Sequence, residues 1–237
     1  MIIHGPYCDA ALPGDVQVVR INLDFAVPLS HPLFDVLSDD ERRAAARFHR
    51  AADTVRYAAT RAVLRRELAA VLGEAPGGLR FLRSDRGRPA LDTGSVVPPL
   101  DFNVSHGGDH ALVAWSRLRH VGVDVEPERA AWDWLPLSRV VLGKEDARRI
   151  AMAGDEPARA ALFLDMWAAK EALLKADGRG IADGLDGFSV LSEGSERPRI
   201  GGDTALAEDL RRFEARWLRG IQGHAACLAW SVDAAQP

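Results

Sequence analysis

The sequence predicts an α+β fold built from two similar halves, and three observations lead to this prediction. Segments with helical periodicity alternate with short strand-like segments along the whole chain, as in mixed folds. Three of these segments recur in the same order about 110 residues later. The composition, with 47% hydrophobic and 27% charged residues, is that of a globular protein with a sizeable core.

Three pairs of segments carry the repeat. They are YAATRAVLR (57–65) with WAAKEALLK (167–175), the Arg-Pro step at 88–89 with the one at 197–198, and HALVAWS (110–116) with HAACLAWS (224–231). Alanine-rich helices match by chance, but three matches in one order at nearly constant spacing indicate an internal duplication. We therefore predict two halves, residues 1–117 and 118–237, related by a pseudo-two-fold axis with the functional site in the cleft between them.

Periodicity and turn residues predict the elements of each half. Residues 39–72 are predicted to be helical, with Ser38 as the N-cap and Gly73 as the stop. The segments DFNVSHGG and ALVAWS are predicted to form a hairpin around a Gly-Gly turn. In the second half we predict a strand that ends at Pro127, a helix that begins near Pro157 and ends at Gly178 or Gly180, and the strands GFSVL and ACLAWSV.

The charge pattern excludes one class of function and leaves another open. A formal net charge of −4 and a pI near 6.0 argue against a dedicated nucleic-acid binder. Residues 41–66, however, hold eight arginines against two acidic residues. Such a run is either a solvated helix face or a site for polyanions such as phosphates, whose geometry suits guanidinium groups.

Cysteine content and the first residues indicate a compartment. Cys8 and Cys227 are far apart and lack metal-ligand spacing, so we expect two free thiols in a reducing compartment. The first 15 residues lack the basic and apolar regions of a secretory leader, and no apolar run approaches the roughly 18 residues of a membrane span. We expect a cytoplasmic protein with no membrane partner.

Candidate metal ligands lie on the predicted strand VGVDVE and on the long helix. Alternation places Val121, Val123 and Val125 on one face and both Asp124 and Glu126 on the other. The two carboxylates repel each other unless a cation lies between them. An outward polar face of a half-buried sheet is the alternative interpretation.

The long helix favours the metal site. Leu162, Met166, Ala169 and Leu173 form an apolar stripe, and Trp167, Glu171 and Lys175 follow one another at intervals of four on a different face. Glu171 and Lys175 could be an ordinary surface ion pair, but a tryptophan on the same line makes solvent exposure less favourable. If this line faces the cleft, Glu171 joins Asp124 and Glu126 in an all-oxygen site suited to Mg²⁺. His106 and His110 are four apart but flank a Gly-Gly turn, so this pair does not predict a zinc site.

The distribution of lysines is uneven. Of 30 basic residues only Lys144, Lys170 and Lys175 are lysines, and two of them flank the candidate ligand Glu171. Lysine, unlike arginine, can transfer a proton near neutral pH when its surroundings lower its pKa. The pattern indicates a site that needs proton transfer.

At these residues the sequence resembles a known family. GVDVE followed by WAAKEALLK and GRG, together with RGRP and FNVSH, resembles the 4′-phosphopantetheinyl transferases of the surfactin-synthetase-activating type. The resemblance covers about residues 43–190. It implies two similar α/β halves around a pseudo-two-fold axis, and Mg²⁺-dependent transfer of 4′-phosphopantetheine from coenzyme A to a serine of an acyl or peptidyl carrier protein.

The resemblance also implies roles for individual residues. Asp124, Glu126 and Glu171 look like the Mg²⁺ ligands, with Glu171 also a candidate base. Lys175 looks like the phosphate-facing lysine that protonates the leaving 3′,5′-ADP, and Lys170 occupies the other lysine position of the motif. Ser105 and His106 look like coenzyme A contacts, and Arg47, Arg56 and Arg88 look like phosphate contacts. Tyr57 stands where a small polar residue is expected to contact the nucleotide.

Two other functions stay open at this point. A Mg²⁺-dependent coenzyme A diphosphate hydrolase would use similar carboxylates, and an inactive homologue would bind the carrier alone. Ser105 and His106 do not predict a serine hydrolase, because neighbouring residues of a strand point to opposite faces and a G-x-S-x-G elbow is missing. We expect a monomer, because both halves complete the site within one chain. The sequence does not identify the carrier or its pathway.

Overall fold

The elements follow one another in a similar order in residues 1–117 and 118–237, with an additional strand at the start of the first part and additional helices in the second. The computed structural model describes residues 2–6, 11–83, 88–92, 100–128, 133–180, 184–192 and 196–233. The first half contains β1 (Ile2–Pro6), β2 (Gln17–Asn22), α1 (Asp39–Ala45), α2 (Ala51–Leu72), β3 (Phe81–Arg83), β4 (Pro89–Leu91), β5 (Asp101–Gly107) and β6 (His110–Ser116). The second contains β7 (Val121–Pro127), α3 (Leu135–Val141), α4 (Lys144–Met152), α5 (Glu156–Asp177), β8 (Ser189–Leu191), β9 (Arg199–Gly201), α6 (Ala205–Leu210), β10 (Phe213–Trp217) and β11 (His224–Ser231).

The strands form two antiparallel sheets and two small hairpins. One sheet has the order β1-β2-β6-β5 and the other β10-β11-β7, while β3 pairs with β4 and β8 with β9. The prediction of a mixed helix and sheet fold is confirmed. The strand order β2-β6-β5 of the first half corresponds to β7-β11-β10 of the second, and each half has one helix of 22 residues. The pseudo-two-fold axis itself stays a prediction.

Three groups of buried side chains form the core. The first lies between α2 and the four-stranded sheet, and the second lies between α5 and the three-stranded sheet. The third lies where the sheets meet and contains Val121, Val123 and Val125 together with Leu112 of β6. The valines of β7 therefore face the first half, and the alternating residues Gly122 and Asp124 face α5, as the sequence pattern predicted.

Side chains of β5 attach the two sheets to each other. The amides of Val121, Val123 and Val125 donate hydrogen bonds to side-chain oxygens of β5 at 2.8, 3.0 and 3.4 Å. The three acceptors are Asp101, Asn103 and Ser105. β7 is an edge strand, and on this side its backbone amides bond to side chains of β5 instead of to the backbone of another strand. These hydrogen bonds satisfy the amides and fix the position of β7.

The prediction of one continuous helix over residues 39–72 is wrong in one respect, because the chain forms two helices, α1 and α2, in this range. Its start is confirmed, because Ser38 and Glu41 form a reciprocal capping box, and so is its end at Gly73, which adopts φ 73°. Between α1 and α2 the chain turns, so that Glu41 can bind Arg61 and Arg65 at 3.3 and 2.7 Å. In one straight helix Glu41 and Arg61 would be about 30 Å apart. The buried ion pairs require the turn.

Helix α5 lies directly against β7. It begins after the N-cap Asp155 and ends at Gly178 with φ 80°. Met166, Ala169 and Leu173 are buried in the second core, as the apolar stripe predicted. A Cβ at Gly122 would lie 2.1 Å from the carbonyl oxygen of Ala172, so glycine permits this close approach. No helix within the described ranges is both long and apolar enough to cross a bilayer.

Of the two cysteines predicted to be free thiols, only Cys227 lies within the described residues. Cys227 lies on β11 with its thiol buried and unpaired in a disulfide, and burial raises its pKa well above the usual value. Cys8 lies outside the described residues.

Candidate functional site

Three carboxylates converge where β7 faces α5. One oxygen each of Asp124, Glu126 and Glu171 lies within 4.8 Å of the others. Asp124 and Glu171 are buried and Glu126 is half-buried. The strand alternation and the close contact at Gly122 bring these side chains together, so the structure assembles the three residues that the sequence predicted to be neighbours.

The ammonium group of Lys175 lies beside these carboxylates. Its Nζ is 2.5 Å from Oδ1 of Asp124 and 3.4 Å from Oε2 of Glu171. Burial by itself would lower the pKa of Lys175, but Asp124 and Glu171 more than offset this, so its pKa is raised. That the site needs proton transfer stays a prediction. The lysine is a firmly held cation between two acids.

Glu171 is held from two sides. Trp167 donates its Nε1 hydrogen to Oε1 at 2.5 Å, and Lys175 lies next to Oε2. Burial raises the pKa of Glu171 and the negative charge of Asp124 raises it further, while Lys175 opposes the shift. The line of residues at intervals of four on α5 therefore acts as one unit, with tryptophan orienting the carboxylate.

Asp124 has one oxygen fully engaged and one that is not. Ser105 donates its hydroxyl to Oδ1 at 2.8 Å, and Lys175 binds the same oxygen. Among the described residues the buried Oδ2 of Asp124 has no hydrogen-bond partner. A buried carboxylate oxygen without a partner is costly, and a cation bound to it would remove this cost.

Arg56, a predicted phosphate contact, binds the turn after β5, and His106, a predicted coenzyme A contact, lies near the end of β5. Arg56 donates from Nε and Nη2 to the carbonyl oxygen of Gly108 at 3.1 and 2.9 Å and pairs with Asp53. His106 precedes this turn, and its pKa is lowered because the protein displaces water from the ring, with Arg56 and Lys175 adding to the effect. Ser105 is buried and His106 exposed, so the two side chains point apart, as expected for strand neighbours.

The structure does not bring Lys170 to the carboxylates. Its side chain is fully buried, and its Nζ donates to the carbonyl oxygens of Val141, Leu185 and Phe188 at 2.8, 2.7 and 2.5 Å. It also binds Asp146 at 2.7 Å, with both side chains 0% exposed. Burial lowers the pKa of Lys170 and Asp146 opposes the shift. The motif lysine thus lies on the opposite side of α5 from Lys175.

Arg88 reaches the backbone of Lys175, because it donates a hydrogen bond to the carbonyl oxygen of that residue. Arg88 binds Asp101 at 2.9 Å and the carbonyl oxygens of Phe102 and Val121 at 3.1 and 3.0 Å. Val121 begins β7, whereas the carboxylates lie towards its other end. Arg88 lines a cavity of about 450 Å³ together with His120. Arg47 is exposed in the turn between α1 and α2.

Arg61 and Arg65, which correspond to Glu171 and Lys175 in the sequence repeat, line a cavity that is separate from the carboxylate cluster. Arg61 and Arg65 bind Glu41, and Arg65 donates to the carbonyl oxygens of Pro76 and Leu79 at 2.8 and 3.0 Å. Both arginines line a cavity of about 550 Å³ in the first half. Tyr57 packs on Phe48, with ring centroids 5.6 Å apart.

No role is assigned from the sequence to Asp101, Asn103 or Asp146, although Asn103 belongs to the FNVSH motif. The side chains of Asp101 and Asn103 accept hydrogen bonds from backbone amides of β7, and Asp146 forms an ion pair with Lys170. A signal for the β5 pair existed in the alternation of polar residues at 101, 103 and 105. No comparable pattern marks Asp146, because its partner lies 24 residues away on another helix.

The site as a whole presents anionic and cationic groups side by side. Three carboxylates supply hard oxygen donors of the kind that Mg²⁺ prefers, and a partnerless buried oxygen belongs to this set. Lys175, His106 and Arg56 supply groups that can bind phosphate oxygens. Such an arrangement is suited to binding and cleaving a diphosphate.

Comparison with family models covers most of the chain. A model described as the 4′-phosphopantetheinyl transferase superfamily matches residues 120–230. A second model, described as the N-terminal part of 4′-phosphopantetheinyl transferases, matches residues 30–117.

Several curated proteins are similar to the chain. The 4′-phosphopantetheinyl transferase HetI of Nostoc sp. is 34% identical over 171 residues, which is 72% of each chain. The 4′-phosphopantetheinyl transferase Sfp of Bacillus subtilis is 24% identical over 65% of this chain and 66% of its own. The L-aminoadipate-semialdehyde dehydrogenase-phosphopantetheinyl transferase of Mus musculus is 28% identical over 61% of this chain, a match that spans 49% of the mouse protein.

Proposed function

This chain belongs to the 4′-phosphopantetheinyl transferase superfamily, and we propose that it takes the phosphopantetheine group from coenzyme A and attaches it to a serine of a carrier protein. That it is a phosphopantetheinyl transferase acting on carrier proteins follows from the family. The donor, the metal, the acceptor serine and the residue roles are the content of the proposal.

One observation carries the proposal. Asp124, Glu126 and Glu171 converge within 4.8 Å, and Lys175 lies against two of them. Coenzyme A carries a diphosphate between its nucleotide and its pantetheine arm. A cluster of oxygen donors beside a half-buried ammonium group supports binding of that diphosphate through a divalent cation on one side and directly on the other.

The three carboxylates fit Mg²⁺. Their oxygens are hard donors, and the partnerless Oδ2 of Asp124 would gain a ligand. When bound, the ion would offset the negative charge that develops on the diphosphate oxygens during the reaction. We assign Asp124, Glu126 and Glu171 as its ligands.

Residues of the first half contact the rest of the nucleotide in this proposal. His106 and Arg56 lie at the β5–β6 turn, and Ser105 already shares Oδ1 of Asp124 with Lys175. We place the remaining phosphate of coenzyme A against His106 and Arg56. We also propose Arg47 and Arg88 as phosphate contacts, and Arg88 is bound to Asp101 and to the carbonyl oxygen of Lys175.

The chemical step requires one proton acceptor and one stabilised leaving group. The serine oxygen of the carrier would attack the β-phosphorus, forming a new P–O bond while the bond to 3′,5′-ADP breaks. The hydroxyl proton would pass to Glu171, whose orientation Trp167 fixes. Lys175 would donate a hydrogen bond or a proton to the departing phosphate oxygen, which balances the charge of the step. We assign Lys170 a structural role, since its ammonium group is fully buried.

The organisation of the chain is also part of the proposal. The repeated element order supports two halves, residues 1–117 and 118–237, related by a pseudo-two-fold axis with the site between them. The site uses residues from both halves of one chain, which favours a monomer. Two rivals are a coenzyme A diphosphate hydrolase and an inactive carrier-binding homologue.

Intact-mass spectrometry distinguishes these three functions. An apo carrier protein is incubated with the chain, coenzyme A and Mg²⁺, in parallel with the Glu171→Gln variant, an EDTA control and the matched surface variant Glu74→Gln. We expect a mass gain of one phosphopantetheine with the wild-type chain and with Glu74→Gln. The rate should fall by roughly 100-fold or more with Glu171→Gln, because a charged contact to the reacting groups is lost.

The other outcomes are equally informative. If coenzyme A is cleaved while acyl and peptidyl carriers stay unmodified, the hydrolase is the correct function. If coenzyme A stays intact with every carrier, the chain is a binding protein. If Glu171→Gln is as fast as wild type, the assignment of the carboxylate cluster is wrong.

A further inference from the structure

A second cluster of metal-ligating side chains lies at the junction of the two halves. One carboxylate oxygen of Asp109 and one ring nitrogen each of His110 and His224 lie within 4.8 Å of one another. Asp109 and His110 belong to the turn and first residue that join β5 to β6, and His224 begins β11. The two histidines occupy corresponding positions of the internal repeat, at the start of HALVAWS and of HAACLAWS.

The spacing of these atoms suits a small cation. Nδ1 of His110 is 2.9 Å and Nε2 of His224 is 3.6 Å from Oδ1 of Asp109. With metal–ligand bonds of about 2.0–2.2 Å, ligand atoms around a tetrahedral zinc ion lie roughly 3.3–3.6 Å apart. The cluster therefore needs only small side-chain adjustments to hold an ion, and the exposed side chain of Asp109 leaves a route for entry.

The ring of His224 is oriented by its surroundings. Nδ1 contacts the carbonyl oxygen of Gln222 at 2.9 Å, and this contact favours a proton on Nδ1. Nε2 then carries a lone pair, yet it lies 3.2 Å from the carbonyl oxygen of Gly107. A proton on Nε2 would donate to this oxygen or to Asp109, and a metal ion bound to Nε2 would take the place of that proton.

The turn also makes room for this ring. Gly108 adopts φ 55°, and a Cβ there would lie 2.7 Å from Nε2 of His224. The rings of His110 and His224 approach to 4.5 Å between centroids. Glycine at position 108 thus permits both the turn conformation and the meeting of residues from the two halves.

We propose that Asp109, His110 and His224 bind one divalent transition-metal ion of the zinc class. Imidazole nitrogens select zinc, cobalt or nickel over Mg²⁺, which prefers the all-oxygen cluster of Asp124, Glu126 and Glu171. The ion would join the β5–β6 turn to β11 and so fasten the two halves beside His106. This inference goes beyond the transferase reaction and does not depend on it.

The cluster of Asp109, His110 and His224 differs from the carboxylate cluster in position as well as in chemistry. Strand alternation places His224 on the same face of β11 as Ala226, which belongs to the core between the sheets. Ala225 and Cys227 face the α5 side, where they pair with Glu126 and Asp124 across the ladder. A metal at His224 therefore lies on the opposite face of the sheet from the carboxylates.

Zinc binding tests the proposal directly. The full chain, produced without a histidine tag and stripped with EDTA, is kept in saturating Mg²⁺ and titrated with Zn²⁺ against a chromophoric chelator. Cobalt is used in parallel as an optical probe of nitrogen coordination. The variants are Asp109→Asn and His224→Gln, with His120→Gln as the matched control because His120 lies 3.5 Å from Asp101 in another His–Asp pair.

We expect one zinc ion per chain, at least a 10-fold weaker affinity in Asp109→Asn and in His224→Gln, and unchanged affinity in His120→Gln. Zinc should also raise the melting temperature of the wild-type chain and not that of His224→Gln. The proposal is overturned if no zinc binds, if both cluster variants bind it like wild type, or if Glu126→Gln alone removes it. Circular dichroism confirms that each variant is folded, and His110 is left unchanged because it is buried.

Discussion

Lys170 and Lys175 are neighbours in the sequence but have opposite surroundings. Lys170 donates to three carbonyl oxygens and to Asp146 in a fully buried site. Lys175 is partly accessible and lies against Asp124 and Glu171. Five residues on a helix turn the side chain by about 140°, so the two ammonium groups point to different sides of α5. One lysine therefore ties α5 to α4 and the loop before β8, and the other faces the candidate site.

We predict that Lys170→Met destabilises the chain while Lys175→Met removes activity. Met at position 170 leaves the carboxylate of Asp146 buried without its cation, which costs roughly 3 kcal/mol or more. Chemical denaturation measures this cost, and the same variants are assayed for carrier modification. Lys144→Met, at an exposed position, should change the free energy of unfolding by less than about 0.5 kcal/mol. A stable but inactive Lys170→Met chain would show that Lys170 takes part in the reaction.

At the scale of elements, the contact between β7 and α5 creates the candidate site. Asp124 and Glu126 come from the strand and Glu171 and Lys175 from the helix, so their distances depend on how closely the two elements approach. Gly122 sets that approach, because any side chain there would overlap the backbone of α5 at Ala172 and Ala176. The apolar stripe of α5 then holds the helix against the sheet.

Gly122→Ala should therefore separate the strand from the helix. Its Cβ would lie 2.1 Å and 2.3 Å from backbone atoms of Ala172 and Ala176, and backbone cannot yield as a flexible side chain can. We expect a loss of about 3 kcal/mol in the free energy of unfolding, at the upper end of overpacking effects, together with loss of activity. Gly154→Ala is the control, because a Cβ there meets nothing within 4 Å. Equal stability of the two variants would contradict the packing described for β7 and α5.

At the scale of the whole molecule, residues at matching positions of the sequence repeat carry different charges. Arg61 and Arg65 correspond to Glu171 and Lys175 in the repeat. In the first half the arginines are bound to Glu41, and in the second the acid and the lysine join Asp124. The valine core between the sheets and the side chains of β5 hold the halves together. Among the described residues, the matching positions thus differ in role, since those near 171 join the carboxylate cluster and those near 61 bind Glu41.

Removal of a divalent cation should lower the stability of the whole chain. Mg²⁺ at 100 times its dissociation constant stabilises a protein that binds it only when folded by about 2.7 kcal/mol. We expect the melting temperature measured with Mg²⁺ to exceed that measured with EDTA by roughly 5–10 °C for a chain of this size. The difference should disappear in Glu126→Gln and persist in Glu74→Gln, whose exposed side chain lies outside the cluster.

The prediction about Mg²⁺ is tested by the difference between the melting temperatures with Mg²⁺ and with EDTA, measured within each variant. Asp124→Asn also removes the partner of Lys175, so its melting temperature in EDTA changes for a second reason. The shift caused by Mg²⁺ within a variant is independent of that change. A shift of the same size in wild type and in Glu126→Gln would show that the ion binds elsewhere.

Local chemistry was sufficient for much of the fold and for part of the site. Capping by Ser38, the stops at Gly73 and Gly178, the hairpin of β5 and β6, and the two faces of β7 depend on neighbouring residues, so the sequence by itself determined them. The same holds for the line of Trp167, Glu171 and Lys175, since helical periodicity places them together.

Only the tertiary structure decided which partners these residues meet. The turn between α1 and α2, the burial of Lys170 against Asp146, and the binding of Arg88 to Asp101 all involve residues from separate elements. No local pattern encodes such contacts, because they depend on how helices and strands pack. The meeting of His110 with His224 is of the same kind, since 114 positions separate them in the chain and 4.5 Å separates their rings in the fold.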